Sequence, residues 1–487
     1  MNVKELFPDI PIAIAARFPK VAIQGVSCDS RSIAKDHIFV AVKGNQLDGN
    51  RYIPQAIKRG ARVIVRESKK GKRAFALSNS ILFCDVPDPR KTIAHLAAQL
   101  NGFPSRKLKT VGITGTNGKT TVSYLIEAIL QYAGFKTGLI GTINYRFGSK
   151  RRQSTNTTPG PEQVQAMLAA MVKKKTKYCL MEVSSHALDQ QRVSDIDFHA
   201  GIFTNLTRDH LDYHKTMDGY FSAKVKLFKS LNKKSWAVIN HDDSFAQRLI
   251  RRTSARVVTF GLSKATVKAD NIVVGRTGTS FDLITSNKRM QMQTRLIGHH
   301  NVYNILAAVS FCLIEGVDSD IIRDTVRRFK GAPGRLEAIN CGQPFMVFVD
   351  YAHTDDALKN VLQSLRALPR KRIIVVFGCG GDRDTTKRPK MGSVATRLAD
   401  FAIITNDNPR SEKPETIIKD IKKGITKTNY RVIYDREAAI KRALSMAQND
   451  DIVLVAGKGH ENYQVLKSQS IPFDDRKVAR RIIRCLA

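Results

Sequence analysis

The chain has 487 residues, 42% of them hydrophobic, so it is long enough to form two to four domains with sizeable cores. Its 80 lysine and arginine residues against 43 acidic residues give a formal net charge of +37, which predicts attraction to polyanions at low salt. The lack of any apolar run of about 18 residues, and the prolines and charges near the N-terminus, exclude membrane insertion and a signal peptide, so we expect a cytoplasmic location.

Residues 1–106 are predicted to form a small α/β domain. The segments "DHIFVAVKG" and "ARVIVRES" have the apolar composition of strands, and "YIPQAIKRG" between them has a helical pattern. A domain of this size can form a core of its own.

Residues 107–333 alternate between predicted strands and helices. The strand "LKTVGITG" leads into the helix "KTTVSYLIEAILQYAG", and further strands follow in "TGLIGT", "KYCLMEVSS", "FHAGIFTNL" and "SWAVIN". This alternation predicts parallel strands joined by crossover helices. The stretch "KGAPGR" at 330–335 then interrupts the pattern and marks a boundary.

Residues 334–487 are predicted to form a third α/β domain. Its apolar strands run into polar loops, most of them rich in glycine, in "FMVFVDYAH", "RIIVVFGCGGDRD", "FAIITNDNPR", "RVIYD" and "DIVLVAGKGHENYQ". In open parallel sheets, ligands bind beyond the carboxyl ends of the strands. We therefore expect binding residues in these loops.

The stretch "VGITGTNGKTT" predicts a phosphate-binding loop. Gly115 and Gly118 permit a tight turn, Lys119 can neutralise the β- and γ-phosphates, and the Thr120 hydroxyl can bind Mg²⁺. Ile113 stands where the strict P-loop spacing requires glycine, so the generic motif is only partly met. A glycine-rich turn without a ligand is the alternative interpretation.

Two further motifs suggest metal ligands. Glu182 ends a predicted strand, where P-loop proteins place the carboxylate of their magnesium site, although a buried salt bridge is the alternative. In "TNLTRDHLDYH", His210 and His214 are four residues apart and flank Asp209 and Asp212, a spacing that also suits zinc on one helix face. The HExxH glutamate is missing, which favours a magnesium site.

The cysteines and the basic residues suggest no further site. The seven cysteines are too widely spaced for a zinc site or a disulfide framework, so we expect reduced, mostly buried thiols. The basic clusters at 69–73, 173–177 and 370–372 are short and lack interleaved aromatic residues. We therefore expect no nucleic-acid partner, and a nucleic-acid-binding P-loop ATPase is retained only as the alternative from another class.

Taken together, the motifs resemble the ATP-dependent Mur ligases of bacterial cell-wall synthesis. The resemblance spans the whole chain and rests on "GTNGKTT", "EVSSHAL", "FTNLTRDHLDYH", "GHHNVYN", "PGRLE" and "DYAHTDDAL". The motifs "DSRSI", "NQLDGNRYI", "FGCGGDRDTTKRP", "TNDNPRSE" and "VAGKGHENYQ" are similar to those of members that attach the third peptide residue to UDP-N-acetylmuramoyl-L-alanyl-D-glutamate. The resemblance implies a UDP-sugar-binding domain (1–106), a central P-loop ATPase domain (107–333) and a C-terminal Rossmann-like domain (334–487).

The resemblance also implies an ADP-forming ligase acting through an acyl phosphate, with ATP and two Mg²⁺ ions. Its catalytic residues would be Lys119, Glu182, His210 and Lys224, with metal ligands Thr120, Glu182, His210 and Lys224 as a carbamate (N6-carboxylysine). The implied ATP-binding residues are Gly115, Thr116, Asn117, Gly118, Lys119, Thr120, Thr121, Asn301, Asn304, Arg335 and Asp350. The implied UDP-sugar residues are Cys28, Ser30, Asn45, Gln46, Leu47, Asn156, Thr157, Thr158, Ser184, Gln190 and Arg192.

The stretch "DNPR" resembles that of members that add meso-diaminopimelate. The distal head of diaminopimelate carries a carboxylate that L-lysine lacks, and the guanidinium of Arg410 can bind it bidentately, unless Arg410 pairs with an acid such as Glu412. The implied diaminopimelate residues are Arg388, Asp407, Asn408, Pro409, Arg410, Gly457 and Glu461. Lysine addition, or folylpoly-γ-glutamate synthesis on the same scaffold, is the alternative ligase activity, and we expect a monomer.

Overall fold

The computed structural model describes residues 1–44, 47–467 and 469–486, and its first sheet lies between residues 25 and 86. The strands are β1 (Gly25–Ser27), β2 (His37–Val40), β3 (Ala61–Glu67), β4 (Ala74–Ser78) and β5 (Ile81–Val86). The helices beside them are α1 (Val3–Leu6), α2 (Ile12–Arg17), α3 (Ile53–Lys58) and α4 (Pro89–Leu100). The sheet order is β1-β2-β3-β5-β4, and β4 is the antiparallel strand. The predicted strands β2 and β3 and helix α3 are confirmed.

The second sheet has eleven strands. They are β6 (Lys109–Thr114), β7 (Thr137–Ile140), β8 (Asn144–Phe147), β9 (Lys150–Gln153), β10 (Tyr178–Glu182), β11 (Phe198–Phe203), β12 (Trp236–Asn240), β13 (Arg256–Gly261), β14 (Val267–Gly275), β15 (Gly278–Ile284) and β16 (Arg289–Thr294). The associated helices are α5 (Lys119–Tyr132), α6 (Pro161–Lys173), α7 (Ser185–Asp189), α8 (Leu211–His214), α9 (Met217–Lys229), α10 (Ala246–Ile250), α11 (His299–Ile314) and α12 (Ser319–Arg328).

The strand order of this sheet is β16-β15-β14-β13-β12-β11-β6-β10-β7-β8-β9. The strands from β14 to β7 are parallel, as predicted, and β6 and β10 are buried on both faces because helices cover both sides. The antiparallel extensions β8-β9 and β15-β16 were not predicted. Strand β15 alternates between buried and half-buried residues because only one face packs on the core, and β9 is exposed throughout.

Helix α11 runs beside α5 and is apolar around most of its circumference, which is typical of a helix buried within a core. Glu315, the residue that follows it, has a 2% exposed side chain. Its carboxylate accepts hydrogen bonds from Lys109 Nζ at 2.5 Å and the Tyr178 hydroxyl at 2.6 Å, and lies 2.6 Å from His199 Nε2. These three partners stand at the starts of β6, β10 and β11, so Glu315 ties the end of α11 to the amino edge of the sheet.

Replacing Glu315 with glutamine is expected to destabilise the fold by about 2–3 kcal/mol near pH 7, because an ionised acceptor is lost. Burial acts to raise the pKa of Glu315, but hydrogen bonds from His199, Lys109 and Tyr178 hold that pKa at about 2. A depressed carboxyl pKa adds stability above the unfolded value, and that stability is lost as the pH falls towards 2. The thermal stabilities of wild type and variant should therefore approach each other as the pH is lowered from 7 to 3. A constant difference would contradict the assignment, and Asp320→Asn, in an exposed pair with Arg323, is the control.

The third sheet lies between residues 337 and 456, and a small hairpin follows it. Its strands are β17 (Glu337–Ala338), β18 (Met346–Asp350), β19 (Ile373–Phe377), β20 (Phe401–Ile404), β21 (Tyr430–Val432) and β22 (Ile452–Ala456), with the hairpin formed by β23 (Tyr463–Leu466) and β24 (Gln469–Pro472). The helices are α13 (Asp355–Arg366), α14 (Lys387–Leu398), α15 (Pro414–Lys422), α16 (Arg436–Ser445) and α17 (Asp475–Leu486). The order is β17-β18-β22-β19-β20-β21, parallel except for β17.

The predicted loops follow the carboxyl ends of these strands. Apolar clusters cover both faces of the sheet, so β19 and β22 are buried along their whole length. The seven cysteines are free and four of them are buried, which confirms that prediction. Among the described residues, no helix combines the length and the apolar character needed to cross a bilayer.

Candidate active site

The phosphate loop (residues 112–119) joins β6 to α5 as predicted. Gly118 caps the helix with a φ of 89°, and a Cβ there would lie 2.2 Å from Asn304 Oδ1, so only glycine fits. The neighbouring Asn117 N–H donates to Asn205 Oδ1 at 2.9 Å. Asn304 Nδ2 donates to Asn301 Oδ1 at 3.0 Å, so the buried start of α11 lies against the loop.

Two lysines, one half-buried and one fully buried, converge on one main-chain oxygen of this loop. Lys119 Nζ donates to Gly115 O at 2.9 Å and to Thr116 O at 2.8 Å. Lys224, on α9 and 1% exposed, also donates to Gly115 O at 2.9 Å. Burial and then the charge of Lys119 lower the pKa of Lys224 well below its usual value, and burial lowers that of Lys119. Two lysine amino groups therefore meet at one carbonyl, where burial and their proximity disfavour a positive charge on both at once.

Glu182 stands beside the phosphate loop because β10 is the neighbour of β6 in the sheet. Its buried carboxylate accepts from the Thr120 hydroxyl at 2.9 Å and from the Thr142 hydroxyl at 2.8 Å. The predicted alternative, a buried salt bridge to Glu182, does not occur among the described residues. A carboxylate next to a hydroxyl fits Mg²⁺, which takes few protein ligands and completes its shell with phosphate oxygens and water.

The histidines of "TRDHLDYH" are arranged differently from a two-histidine helix face. His210 has a φ of 56° and precedes the four-residue helix α8, so its ring and that of His214 both pack around His186, at 4.8 and 5.5 Å between centroids. Burial and the charge of His186 lower the pKa of His210 to about 3 and that of His214 to about 4. No group of three or more histidine, cysteine or acidic side chains within the described ranges is arranged to hold a metal, which argues against the zinc alternative.

A residue just before the third sheet contacts the helix that follows the phosphate loop. Arg335 Nη2 donates to the Thr120 hydroxyl at 3.2 Å. Asp350 accepts from the main-chain N–H of Leu336 and of Ala352 at 2.6 and 2.7 Å, and burial raises its pKa. Arg335 thereby joins the segment before the third sheet to the start of α5, and Asp350 fixes the backbone of that segment at Leu336.

Asp356, at the start of α13, adds a second contact between the two sheets. Its Oδ2 accepts from Asn117 Nδ2 at 3.1 Å and from the Thr207 hydroxyl at 2.8 Å. Asn117 lies in the phosphate loop, so a carboxylate of the third sheet helps to fix that loop.

Six of the predicted UDP-sugar residues lie together beyond β10, in the segments 156–158 and 184–192. The Thr158 hydroxyl donates to Glu182 O at 2.8 Å, and Arg192 Nη1 donates to Thr158 O at 2.8 Å. Arg192 also bonds Gln190 Oε1, the Ser184 hydroxyl caps α7, and the Thr157 and Thr142 hydroxyls are 3.1 Å apart. Asn156 is held through its main chain by the Tyr145 hydroxyl.

The first sheet contributes the remaining predicted sugar residues. The Ser30 hydroxyl donates to Gln55 Oε1 at 2.7 Å, Cys28 is exposed, and Leu47 is 63% exposed. Asn45 and Gln46 lie outside the described residues. Among the described residues, no hydrogen bond joins Ser30 or Leu47 to the group around Thr158.

Arg410 lies at the predicted amino-acid pocket with its φ at 54°. Its Nη1 donates to Gly381 O at 2.7 Å and to Asn408 O at 3.3 Å, and no carboxylate of the described residues forms an ion pair with it. Glu412 does not pair with Arg410 as the alternative required, because its carboxylate binds Arg388 at 2.8 Å. The charge of Arg410 therefore remains available for a ligand.

Arg388 is 1% exposed and its guanidinium is already bound by protein acids. It pairs with Glu412 and, at 3.1 Å, with Asp420, while its buried Nε has no partner among the described residues. This arrangement gives Arg388 a role in holding the loops that follow β19 and β20.

The remaining predicted pocket residues meet where the loops after β20 and β22 come together. Asn408 Nδ2 donates to Glu461 Oε2 at 2.9 Å, and both residues contact Lys458 Nζ at 3.1 Å. Gly457 has a φ of 114°, and a Cβ there would lie 2.5 Å from Asp407 Oδ2. Pro409 is buried between Asn408 and Arg410.

Four residues of the site were missed from the sequence. Thr142 bonds Glu182, Asn205 and Asp356 both bond Asn117, and Lys458 bonds Glu461. Thr142 and Asn205 lie at the ends of the segments predicted as strands and follow the observed strands β7 and β11 by two residues, which is the signal that could have identified them.

A phosphate loop on a parallel sheet, a strand-terminal carboxylate and a third sheet that reaches the loop together define a P-loop nucleotide-binding protein of the α/β class. Family models match three parts of the chain: "Mur ligase family, catalytic domain" at residues 22–100, "Mur ligase middle domain" at 113–312 and "Mur ligase, glutamate ligase domain" at 334–459. The chain belongs to the Mur ligase family and has its three-domain architecture.

Individual relatives are similar over the whole chain. The UDP-N-acetylmuramoyl-L-alanyl-D-glutamate–2,6-diaminopimelate ligase of Syntrophomonas wolfei is 42% identical over 490 residues, covering 99% of each chain. A ligase of the same name from Clostridium acetobutylicum is 43% identical over 487 residues, again covering 99% of each. A solved structure of a ligase of that name superposes with a TM-score of 0.70 at 33% identity, covering 100% of this chain and 99% of the other. The MurF ligase of Thermotoga maritima in complex with ADP has a TM-score of 0.64 at 17% identity, covering 96% and 99%, and shows the shared fold.

Proposed function

We propose that this chain is the ADP-forming ligase that joins meso-2,6-diaminopimelate to UDP-N-acetylmuramoyl-L-alanyl-D-glutamate in peptidoglycan precursor synthesis. The observation that carries the proposal is the 42% identity, over 99% of both chains, to a relative of that name. The guanidinium of Arg410, in the loop after β20, forms no ion pair among the described residues and supports the choice of diaminopimelate, because it offers a partner for the distal carboxylate.

The chemistry requires an activated carboxyl group. A free carboxylate is a poor electrophile, because its oxide is a bad leaving group. Transfer of the γ-phosphoryl group of ATP to the glutamate carboxylate gives ADP and an acyl phosphate. The amine of diaminopimelate then attacks the carbonyl carbon, loses a proton, and inorganic phosphate leaves as the amide forms. Two anions must meet for the first step, so positioning and neutralisation of charge are the main tasks of the protein.

The residues of the central site suit these tasks. Lys119 and the N–H groups of the phosphate loop would bind the phosphates. Arg335, which contacts Thr120, would bind them as well. Asn301 and Asp350 hold nearby backbone groups and Asn304 bonds the Asn301 side chain, while the segment that carries Arg335 would help to keep water from an acyl phosphate. The residues that we propose for ATP are Gly115, Thr116, Asn117, Gly118, Lys119, Thr120, Thr121, Asn301, Asn304, Arg335 and Asp350.

We further propose Thr120, Glu182, His210 and a carbamate on Lys224 as the residues that hold magnesium. When bound, the ions would neutralise the charge of the phosphates. Lys224 as an ammonium repels Lys119 across their shared acceptor. Loss of one proton gives the neutral amine, and addition of CO₂ to that amine with loss of a second proton would replace the cation by an anion.

The two remaining substrates are assigned to the two outer regions. We propose that the UDP-sugar contacts come from Cys28, Ser30, Asn45, Gln46, Leu47, Asn156, Thr157, Thr158, Ser184, Gln190 and Arg192. We propose that the diaminopimelate contacts come from Arg388, Asp407, Asn408, Pro409, Arg410, Gly457 and Glu461. In this proposal the domain boundaries lie at 106/107 and 333/334. We also propose that the enzyme acts as a monomer in the cytoplasm.

The test is ADP release by the purified protein with each amino acid in parallel. We expect release to require UDP-N-acetylmuramoyl-L-alanyl-D-glutamate together with meso-diaminopimelate, and kcat/KM for L-lysine and L-ornithine to be lower by about 10²–10³-fold, because they cannot use the guanidinium. Equal use of L-lysine would contradict the specificity. ATP turnover that needs no sugar nucleotide, or that nucleic acid stimulates with a steep salt dependence, would contradict the activity itself.

A further inference from the structure

A fully buried lysine lies beneath the candidate amino-acid pocket. Lys458 follows β22 and its side chain is 0% exposed. Its Nζ donates to Glu461 Oε2 and to Asn408 Oδ1, both at 3.1 Å. Strands β22 and β20 are separated by β19 in the sheet, so this one ammonium group joins the loops of two strands that do not pair. A buried charge is costly unless it is hydrogen-bonded, and these are its polar contacts among the described residues.

The contacts of Lys458 determine how Asn408 is oriented. Asn408 Oδ1 also accepts from the Val465 N–H at 2.9 Å, so two donors face that oxygen. The amide nitrogen must then point the other way, where Asn408 Nδ2 donates to Glu461 Oε2 at 2.9 Å. Both donors to Glu461 use the same oxygen. Within the described ranges, Glu461 Oε1 accepts no hydrogen bond and remains available to a ligand.

The charges nearby show why a cation is needed at this point. Glu461 and Asp407 are both largely buried and repel each other, and burial raises the pKa of Glu461 while the charge of Lys458 lowers it. Arg436 is also buried near both acids, but its guanidinium pairs with Asp475 at 2.7 Å, so among the described residues Lys458 is the cation that contacts Glu461 directly. A protonated or displaced Glu461 could not accept from an ammonium group as a carboxylate does.

We propose that Lys458 is a positioning residue for the amino-acid substrate, which holds Glu461 and Asn408 so that the free Glu461 oxygen faces the distal ammonium of diaminopimelate. Lys458 touches no substrate and acts through these two side chains. The inference rests on the proposed function, which places diaminopimelate in this pocket.

The first test replaces Lys458 with methionine, which keeps the length of the side chain and removes its charge. We expect the KM for diaminopimelate to rise about 30-fold, because a charge-assisted contact to Glu461 is lost, while the KM values for ATP and the sugar nucleotide change less than twofold. Lys441→Met, on the exposed face of α16, is the matched control and should change none of them. Lys458→Gln, which keeps a donor, is measured alongside with an intermediate effect expected, so the test survives poor folding of the methionine variant.

The second test separates positioning from a general structural role. In a Glu461→Gln background, Lys458→Met should raise the KM for diaminopimelate by less than about threefold, because the residue through which it acts is already altered. A full 30-fold increase in that background, or no increase in the wild-type background, would overturn the inference. Failure of the wild-type protein to use diaminopimelate at all would instead overturn the proposed function, so the two failures are distinguishable.

Discussion

Replacing Lys224 with alanine is expected to lower kcat by about 10²–10³-fold, the range seen when a preorganised electrostatic contact to the reacting groups is removed. The variant loses a buried side chain that shares the Gly115 carbonyl with Lys119. If the lysine acts as a carbamate, short carboxylates such as acetate or propionate should restore activity, because they supply the missing anion in the cavity left by the side chain. Steady-state ADP release with and without added carboxylate measures both effects.

The control for this experiment is Lys226→Ala on the same helix, where the lysine pairs with Asp189 and is 47% exposed. It should leave kcat within a factor of two, since exposed pairs contribute about 1 kcal/mol or less. A carbamate also has a signature independent of turnover: ¹³C-labelled bicarbonate should give a carbamate NMR signal with wild type and none with the variant. Full activity of Lys224→Ala without rescue would remove Lys224 from the catalytic residues.

Replacing Arg410 with alanine is expected to lower kcat/KM for diaminopimelate by about 10²–10³-fold, because a bidentate partner for the distal carboxylate is lost. The guanidinium is hydrogen-bonded only to main-chain oxygens of Gly381 and Asn408 among the described residues, so its removal breaks no salt bridge within that part of the chain. For L-lysine, which has no distal carboxylate, kcat/KM should not fall. The selectivity between the two amino acids is therefore the sensitive measurement.

Two further variants refine the expectation for Arg410. Arg410→Lys keeps a charge without the planar fork and should recover only part of the loss. Arg442→Ala, on the exposed side of α16, should change neither amino acid's kcat/KM. Binding of ADP, measured by calorimetry, should be unaltered in all three variants, since Arg410 makes no contact with the phosphate loop. An equal loss for diaminopimelate and L-lysine would contradict the recognition of the carboxylate.

Local sequence patterns were sufficient for the parts of the molecule that depend on neighbours along the chain. The phosphate loop, Glu182 at the end of β10 and the loops after β18, β20 and β22 were all predicted, because an apolar strand followed by glycine or an acid is a local pattern. The edge hairpins β8-β9 and β15-β16 were missed because β9 is exposed throughout, β15 and β16 are only partly buried, and β8 has only four residues, two of them polar.

Contacts between elements distant in sequence could not be predicted. Asp356, at the start of α13, bonds Asn117 in the phosphate loop, although the two residues are far apart in the sequence. Glu412 binds Arg388 and not Arg410, because helix α14 places Arg388 beside it. In the sequence, Lys458 is an ordinary charged residue of a loop. In the structure it is buried, because two loops close over it. These arrangements depend on strand order and packing, which no short motif specifies.

Glu182 has one further consequence for this protein. Its side chain binds Thr120, which we propose to contact the nucleotide, while its main-chain oxygen binds Thr158, which we propose to contact the UDP-sugar. A displacement of this single residue would alter both proposed sites together, and by thermodynamic linkage any effect of one ligand on the affinity for the other should be reciprocal. We therefore expect that an inhibitor which shifts Glu182 antagonises both substrates without overlapping the space of either.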